Sequence, residues 1–518
     1  LRSVTLTAKD KICLCETREC TPEACPYANG YYARIKGALW DVLDVPCLTA
    51  ETLQEYAERH MVCPFELGLD SSLWSDVIIG DYNYLFDPVV HLVRFFESAG
   101  DYIFLVDEAH NLPGRAREMH SAALTKTSFY EAKKLLGKGK SSLKNALTKV
   151  NDVFIEWRHR AEEETAARDG RFGKTFFLKE RSEEFDHLLN RLCEPLEAWL
   201  DDHREPDETH TALLQLYFDV RAWLRVADTF DDHFVLQITA SGSEVRAAQL
   251  CLDPSAFLAD SFALGRAAVL FSATLAPASY YKDLCGVPEA RAVALRSPFP
   301  AGNQGLFCIG NVSTRYKDRD ASLAIVEESL ATMVRARCGN YLAFFPSYAY
   351  MEQAYAQFKE HCPEINCIKQ ENAMDEQQKA AFLAQFVPGP SQPLLGFAVM
   401  GGVFGEGVDL TGDRLIGVGI VGPGLPQVGP RQEQLRDYFE QTRGSGFDYA
   451  YRYPGMNKVL QAAGRVIRTP RDKGVVLLID NRFAMPDYRR LMPPHWSHLK
   501  MIYDTEKLER ELWRFWEE

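Results

Sequence analysis

Short apolar runs recur along the chain: Val77–Ile79, Ile103–Val106, 268–271, 341–345, 394–400, 415–421 and 475–479. Stretches of helical period separate them, such as 321–336 and 351–360. Strands alternating with helices predict parallel sheets, because a parallel crossover needs a connection of helix length. Runs without polar alternation predict strands covered on both faces. Two segments break the rhythm. Residues 13–63 hold many cysteines with Tyr, Glu and Arg, and residues 115–235 read as almost continuous helix. Both are expected as insertions into a first α/β domain.

A chain of 518 residues is too long for one ordinary core, so at least two domains are expected. Hydrophobic residues make up 46% and charged residues 25%, a globular balance, and no apolar run is long enough to cross a membrane. The net charge of −14 repels phosphate, so a nucleic-acid partner requires a local basic groove. Within 126–149 seven lysines face one glutamate. The start, Leu1-Arg2-Ser3-Val4, reads as the middle of a strand, and the expectation is a chain cut from a longer one. Thirteen cysteines, an odd number, argue against a disulfide framework. Cys13, Cys15, Cys20, Cys25, Cys47 and Cys63 crowd the first 63 residues, whereas Cys251 and Cys308 sit in apolar surroundings and read as packing.

The candidate chemistry begins at "YIFLVDEAHNLPG", residues 102–114, where Asp107 and Glu108 leave a strand at its carboxyl end. Functional groups of open parallel sheets collect there. A nucleoside triphosphatase needs one carboxylate for magnesium, here Asp107, and another group to orient the attacking water, here Glu108. His110 is placed to couple that site to a neighbouring domain. Ser272 and Thr274 in "LFSATLAP" follow another strand, as relay candidates. "GGVFGEGVDL" supplies Gly405, Glu406, Gly407 and Asp409 in a loop able to bring backbone amides to phosphate. In "QAAGRVIR", Gln461, Arg465 and Arg468 share one face if the helix continues, and the two arginines are candidates for a triphosphate.

Cys13, Cys20, Cys25 and Cys63 are spaced C-x6-C-x4-C-x37-C. Structural zinc modules use shorter paired spacings, and four thiolates also suit a [4Fe–4S] cluster. The spacing leaves iron–sulfur, zinc and plain core cysteines open.

The order of these motifs resembles motifs II, III, V and VI of superfamily 2 helicases, with 340–352, "NYLAFFPSYAYME", similar to motif IV. "SDVIIGDYNYLFDP" (75–88) and "GVFGEGVDL" resemble the XPD/DinG branch. That resemblance implies two RecA-like motor domains, with domain 1 at 1–12, 64–114 and 236–280, an iron–sulfur module at 13–63, a helical Arch at 115–235 and domain 2 at 281–518. It implies ATP, Mg2+ and a [4Fe–4S] cluster held by Cys13, Cys20, Cys25 and Cys63, with Cys15 an alternative to Cys13 and Cys47 a non-ligand. It implies a monomeric 5′→3′ helicase on single-stranded and forked DNA, acting in repair or replication in a bacterial-type cytoplasm or nucleoid. Tyr31, Arg34, Tyr82 and Tyr84 are DNA-contact candidates, as is the lysine cluster Lys133, Lys134, Lys138 and Lys140. The rival expectations are a non-catalytic, metal-stabilised nucleic-acid scaffold and a zinc adaptor.

No Walker A pattern, G-x-x-x-x-G-K-[ST], occurs within these residues. "GRFGKT" at 170–175 has Arg168 where the first glycine belongs, and "KGKSS" at 138–142 has Lys134 there. In the family that loop precedes the cysteine module, so the expectation is that it lies before Leu1 and that these 518 residues alone bind ATP poorly.

Overall fold

The computed structural model describes residues 1–518 apart from 138–140, 168–172, 206, 406–409 and 518. Two compact units emerge: Leu1–Tyr102 with Ala263–Arg266, and Ile103–Phe262 with Ala267–Glu518. No described helix is long and apolar enough to cross a membrane.

In the first unit β1 (Ser3–Thr5) lies between β2 (Cys47–Leu48) and β3 (Val77–Ile79), parallel to both. The helices Tyr31–Val42, Ala50–His60 and Pro64–Ser71 bury Ile35, Leu53 and Leu67 against Val4. This core carries the cysteine segment.

The second unit opens on β4 (Ile103–Val106). The segment read as continuous helix also contains strands. β5 (Ala122–Thr125), β6 (Lys174–Leu178), β7 (Phe234–Ser241) and β8 (Glu244–Cys251) form an antiparallel sheet in the order β5-β8-β7-β6. Four long helices, Lys126–Leu135, Ser142–Ala167, Glu183–Asp202 and Glu208–Asp228, pack on it through Phe129, Phe154, Leu189, Leu216 and Trp223. Their apolar periodicity masked β5 and β6, which are four and five residues long. The sheet under these helices extends past 235 into the β7–β8 hairpin, whose turn begins at Gly242, φ 60°.

β9 (Ala267–Leu270) pairs in parallel with β4, Leu105 opposite Val269. The sequence reading expected these strands to be buried. Instead Ile103, Leu105, Val269 and Phe271 are 43–69% exposed. Among the described residues each strand has one partner, and a two-stranded ribbon leaves much of its surface open.

The rest of the unit is one parallel sheet of seven strands: β10 (Gln304–Ile309), β11 (Asn340–Phe345), β12 (Asn366–Lys369), β13 (Leu394–Val399), β14 (Gly417–Val421), β15 (Gly474–Ile479) and β16 (Lys500–Ile502). Their order is β12-β13-β11-β14-β15-β10-β16. Every residue of β11, β14 and β15 is buried, because helices cover both faces. One face packs on Val459, Leu460 and Ala463, the other on Val326, Leu330 and Phe358.

Candidate active site and cysteine module

The loops after β4 and β9 are stitched together by backbone. Phe271 N–H donates to Val106 O (3.0 Å) and Ala109 N–H to Phe271 O (3.1 Å). Between these anchors Glu108 adopts a left-handed conformation, φ 45°, uncommon for a side-chain-bearing residue. Its N–H donates to Asp107 Oδ1 at 2.7 Å, so the first carboxylate fixes the turn that aims the second. The Glu108 side chain is 62% exposed, whereas that of His110 is 6% exposed.

Four motif residues meet around His110. Ser272 Oγ–H donates to Glu108 Oε2 (3.1 Å). His110 Nδ1 lies 2.8 Å from Ser272 Oγ and 3.2 Å from Glu108 Oε2. The single serine proton goes to the carboxylate, so the Nδ1 proton belongs to the imidazole. Nε2 of this tautomer then accepts from the Gln461 amide, with which it is in contact. Thr274 is buried; its N–H donates to Ser272 Oγ (3.2 Å) and its hydroxyl lies 3.5 Å from the same atom. A continuous chain thus runs from the exposed carboxylate of Glu108 to the helix bearing Gln461.

That helix, Tyr453–Ala463, ends sooner than the i, i+4, i+7 reading required. At Gly464 the ladder tightens: Arg465 N–H donates to Ala462 O and Val466 N–H to Ala463 O, both at 3.4 Å. Asp472 then takes the N–H groups of Arg468 (2.8 Å) and Thr469 (2.7 Å). Arg465 and Arg468 therefore lie beyond the helix. Arg465 is 5% exposed and donates to Gly405 O, joining the glycine-rich loop to this turn, while Arg468 is exposed. Glu406, Gly407 and Asp409 lie outside the described residues, as do Lys138 and Lys140. The helix start approaches the loop after β14 so closely that a Cβ on Gly455 would stand 2.6 Å from Pro423 O.

Asn457, absent from the sequence reading, belongs to the same site. It is 7% exposed and one turn before Gln461. Its amide is satisfied when Nδ2 donates to Thr274 O (2.9 Å) and Ala276 O (3.3 Å) and Oδ1 accepts from Tyr281 O–H. The sequence signal was a polar residue on the buried face of an apolar helix.

In the first unit Cys15 Sγ lies 3.9 Å from Cys25 Sγ. Partial burial, the Cys25 contact and the nearby Cys13 push the Cys15 thiol up to about 11. Cys63 precedes the helix Pro64–Ser71; burial raises its thiol, and the N–H groups of Glu66 and Phe65 draw it back. Cys20 is exposed. Among the described residues no three Cys, His, Asp or Glu side chains converge on one metal position. Cys47 is exposed, and Cys251 and Cys308 are buried as packing.

Two DNA-contact candidates make hydrogen bonds within the first unit. Tyr31 is buried and donates to Asp70 Oδ2 (2.9 Å). Arg34 donates to the carbonyls of Met61 (2.6 Å), Pro26 (3.1 Å) and Asn29, tying the cysteine loop to the end of a helix. Tyr84 is half-buried in the same core. Tyr82 is half-buried, its ring edge-on to Phe86, and Lys134 is exposed.

Two family models match: DEAD_2 over residues 2–129 and a helicase C-terminal domain over 330–499. The chain is 22% identical to ATP-dependent DNA helicase CHL1 of Coccidioides immitis, over 87% of this chain and 60% of the relative. It is 24% identical to the general transcription and DNA repair factor IIH helicase subunit XPD of Schizosaccharomyces pombe, over 86% and 67%. A solved XPD helicase superposes with a TM-score of 0.60 at 18% identity, covering 97% of this chain and 86% of that one. Xpd4 of S. tokodaii gives 0.56 at 16%, covering 83% of each. These likenesses show the fold, two RecA-like domains with an insertion. The chain spans about two thirds or less of the length of the curated relatives it matches.

Proposed function

Because the chain belongs to the XPD-like superfamily 2 helicases, we propose that the full-length protein is an ATP-dependent DNA helicase moving 5′→3′ on single strands. The supporting observation is the Glu108–Ser272–His110–Gln461 chain, which gives a water-activating carboxylate a hydrogen-bonded route to a second motor element. Glu108 orients the attacking water and takes its proton. Asp107 is the residue for Mg2+, which supplies charge neutralisation on the phosphates. Arg465 and Arg468 are the cations for the γ-phosphoryl group, and Arg465 reaches it by exchanging the Gly405 carbonyl for a phosphate oxygen. Thr274 and Gly405 hold the strand-end loops that frame the nucleotide.

Cys13, Cys20, Cys25 and Cys63 are the residues proposed to hold a [4Fe–4S] cluster, which when bound braces the first unit. The placement of Cys63 before the helix Pro64–Ser71 and the Arg34 tie to Met61 and Pro26, beside Cys63 and Cys25, support this reading, and the Cys15–Cys25 contact favours Cys15 as the alternative to Cys13.

One preparation tests both parts. Anaerobically purified full-length protein is expected to contain iron and sulfide, to absorb in the visible, and to lose both signals on Cys63→Ser. It is expected to separate a 5′-tailed duplex with ATP and to leave a 3′-tailed one paired. Zinc in place of iron would overturn the cluster assignment, and unwinding from the 3′ tail alone would overturn the polarity.

A further inference from the structure

Asn457 contacts the main chain of the loop after β9 rather than its side chains. Nδ2 reaches the carbonyls of Thr274 and Ala276, and Oδ1 receives the Tyr281 hydroxyl. The opposite amide orientation would set Oδ1 against two carbonyl oxygens, so the protein selects one orientation. Thr274 O also accepts from Ala276 N–H (2.9 Å), so the tie falls on a loop already closed on itself. Tyr281 is 5% exposed, and burial raises its hydroxyl well above the ordinary tyrosine range, which keeps it a donor.

Asn457 and Gln461 stand at i and i+4 on one helix and therefore project from one face. Asn457 grips the Thr274–Ala276 backbone, and Gln461 grips His110, which is itself bonded to Ser272. Two side chains one turn apart thus hold the two loops that carry Glu108 and Ser272. With one contact the helix can pivot about that point, whereas two contacts fix its angle as well as its position.

We infer that Asn457 is a positioning residue that sets the helix angle at which Gln461 meets His110, so that movement of the Ser272–Ala276 loop reaches the Arg465 turn. Its role in turnover rests on the functional reading above. A buried asparagine serving packing alone would have no reason to act on catalysis separately from stability.

The test compares Asn457→Asp and Asn457→Ser with the wild type in the full-length protein. Aspartate keeps the shape but sets a carboxylate against two carbonyls. Serine keeps a hydroxyl too short to span them. Both variants are expected to lower kcat for DNA-stimulated ATP hydrolysis by roughly 10- to 100-fold, the scale of a misplaced catalytic group, with KM for ATP within about twofold. Tyr281→Phe removes only the third contact and is expected to stay near wild-type kcat. Hydrogen exchange, read without ATP, is expected to rise at both 272–276 and 461–465 in either variant. Wild-type turnover in a folded variant, parallel loss of kcat and KM, or unchanged exchange at 461–465 would overturn the assignment. If the wild-type protein hydrolyses no ATP, the functional reading fails while the exchange result still decides whether Asn457 positions the helix.

Discussion

Glu108→Gln lowers DNA-stimulated ATP turnover of the full-length protein by about 10²- to 10⁴-fold, the range a general base contributes. The substitution preserves shape and removes one property. The amide oxygen still accepts the Ser272 proton, and the left-handed backbone at Glu108 is undisturbed, so the loop stays in place. What disappears is the carboxylate's capacity to receive a proton from water. The loss therefore falls on kcat, with KM for ATP changing by less than about threefold. Steady-state kinetics across a range of ATP concentrations checks the split. A large rise in KM at unchanged kcat would assign Glu108 to nucleotide binding instead.

The second large effect concerns stability. Asp480, directly after β15, is fully buried. Its carboxylate accepts from Arg482 N–H (2.8 Å), Nε (2.7 Å) and Nη2 (2.8 Å), and from Thr314 N–H (3.0 Å) and Oγ (2.6 Å). It joins the loop after β10 to the end of β15, where Asn481 N–H also donates to Val312 O (2.7 Å). Asp480→Ala leaves Arg482, 12% exposed, without its counter-charge, and is expected to cost about 3–5 kcal/mol. Urea unfolding of the two proteins measures it. Burial alone would push the Asp480 carboxyl up, but the Arg482 and Thr314 donors outweigh it and hold the carboxyl below its ordinary value. The unfolded group titrates near ~3.9. Its contribution is therefore fully present above that pH and is lost as pH falls through the lower folded value. Wild-type stability should fall more steeply below about pH 4 than that of Asp480→Ala, which has no such group to protonate. A change within 1 kcal/mol at neutral pH would mean that the network is replaceable by packing.

Parts of this molecule were legible in the chain for a definite reason. β11, β13 and β15 sit between two helical layers, so their sequences run apolar without interruption and end where the sheet ends. β7 and β8 were hidden by a different cause. Their runs, FVLQITAS and EVRAAQLC, mix polar residues into a sheet whose helical cover supplies the stronger period. At the candidate site, motif order singled out Glu108, His110, Ser272 and Gln461 one by one, and the hydrogen bonds that join them were not read from it. It misplaced Arg465 and Arg468, because a helix read by spacing alone carries no information about where Gly464 and Asp472 stop it. Asn457 escaped notice since its partners, two backbone carbonyls and the Tyr281 hydroxyl, are brought to it only by the fold. Tyr31 and Arg34 show the converse: types suited to DNA hydrogen-bond within the first unit, Tyr31 to Asp70 and Arg34 to carbonyls flanking the cysteine loop.

The proposed coupling of the Glu108 carboxylate to the helix bearing Gln461 runs through His110 and Gln461. The most direct measurement is a double-mutant cycle on kcat of DNA-stimulated ATP hydrolysis, using His110→Ala, Gln461→Ala and the pair in the full-length protein. The predicted result is a coupling energy of roughly 0.5–3 kcal/mol, with the double variant scarcely worse than the more damaged single one. Losses that simply add, or single variants that turn over like the wild type, would contradict it.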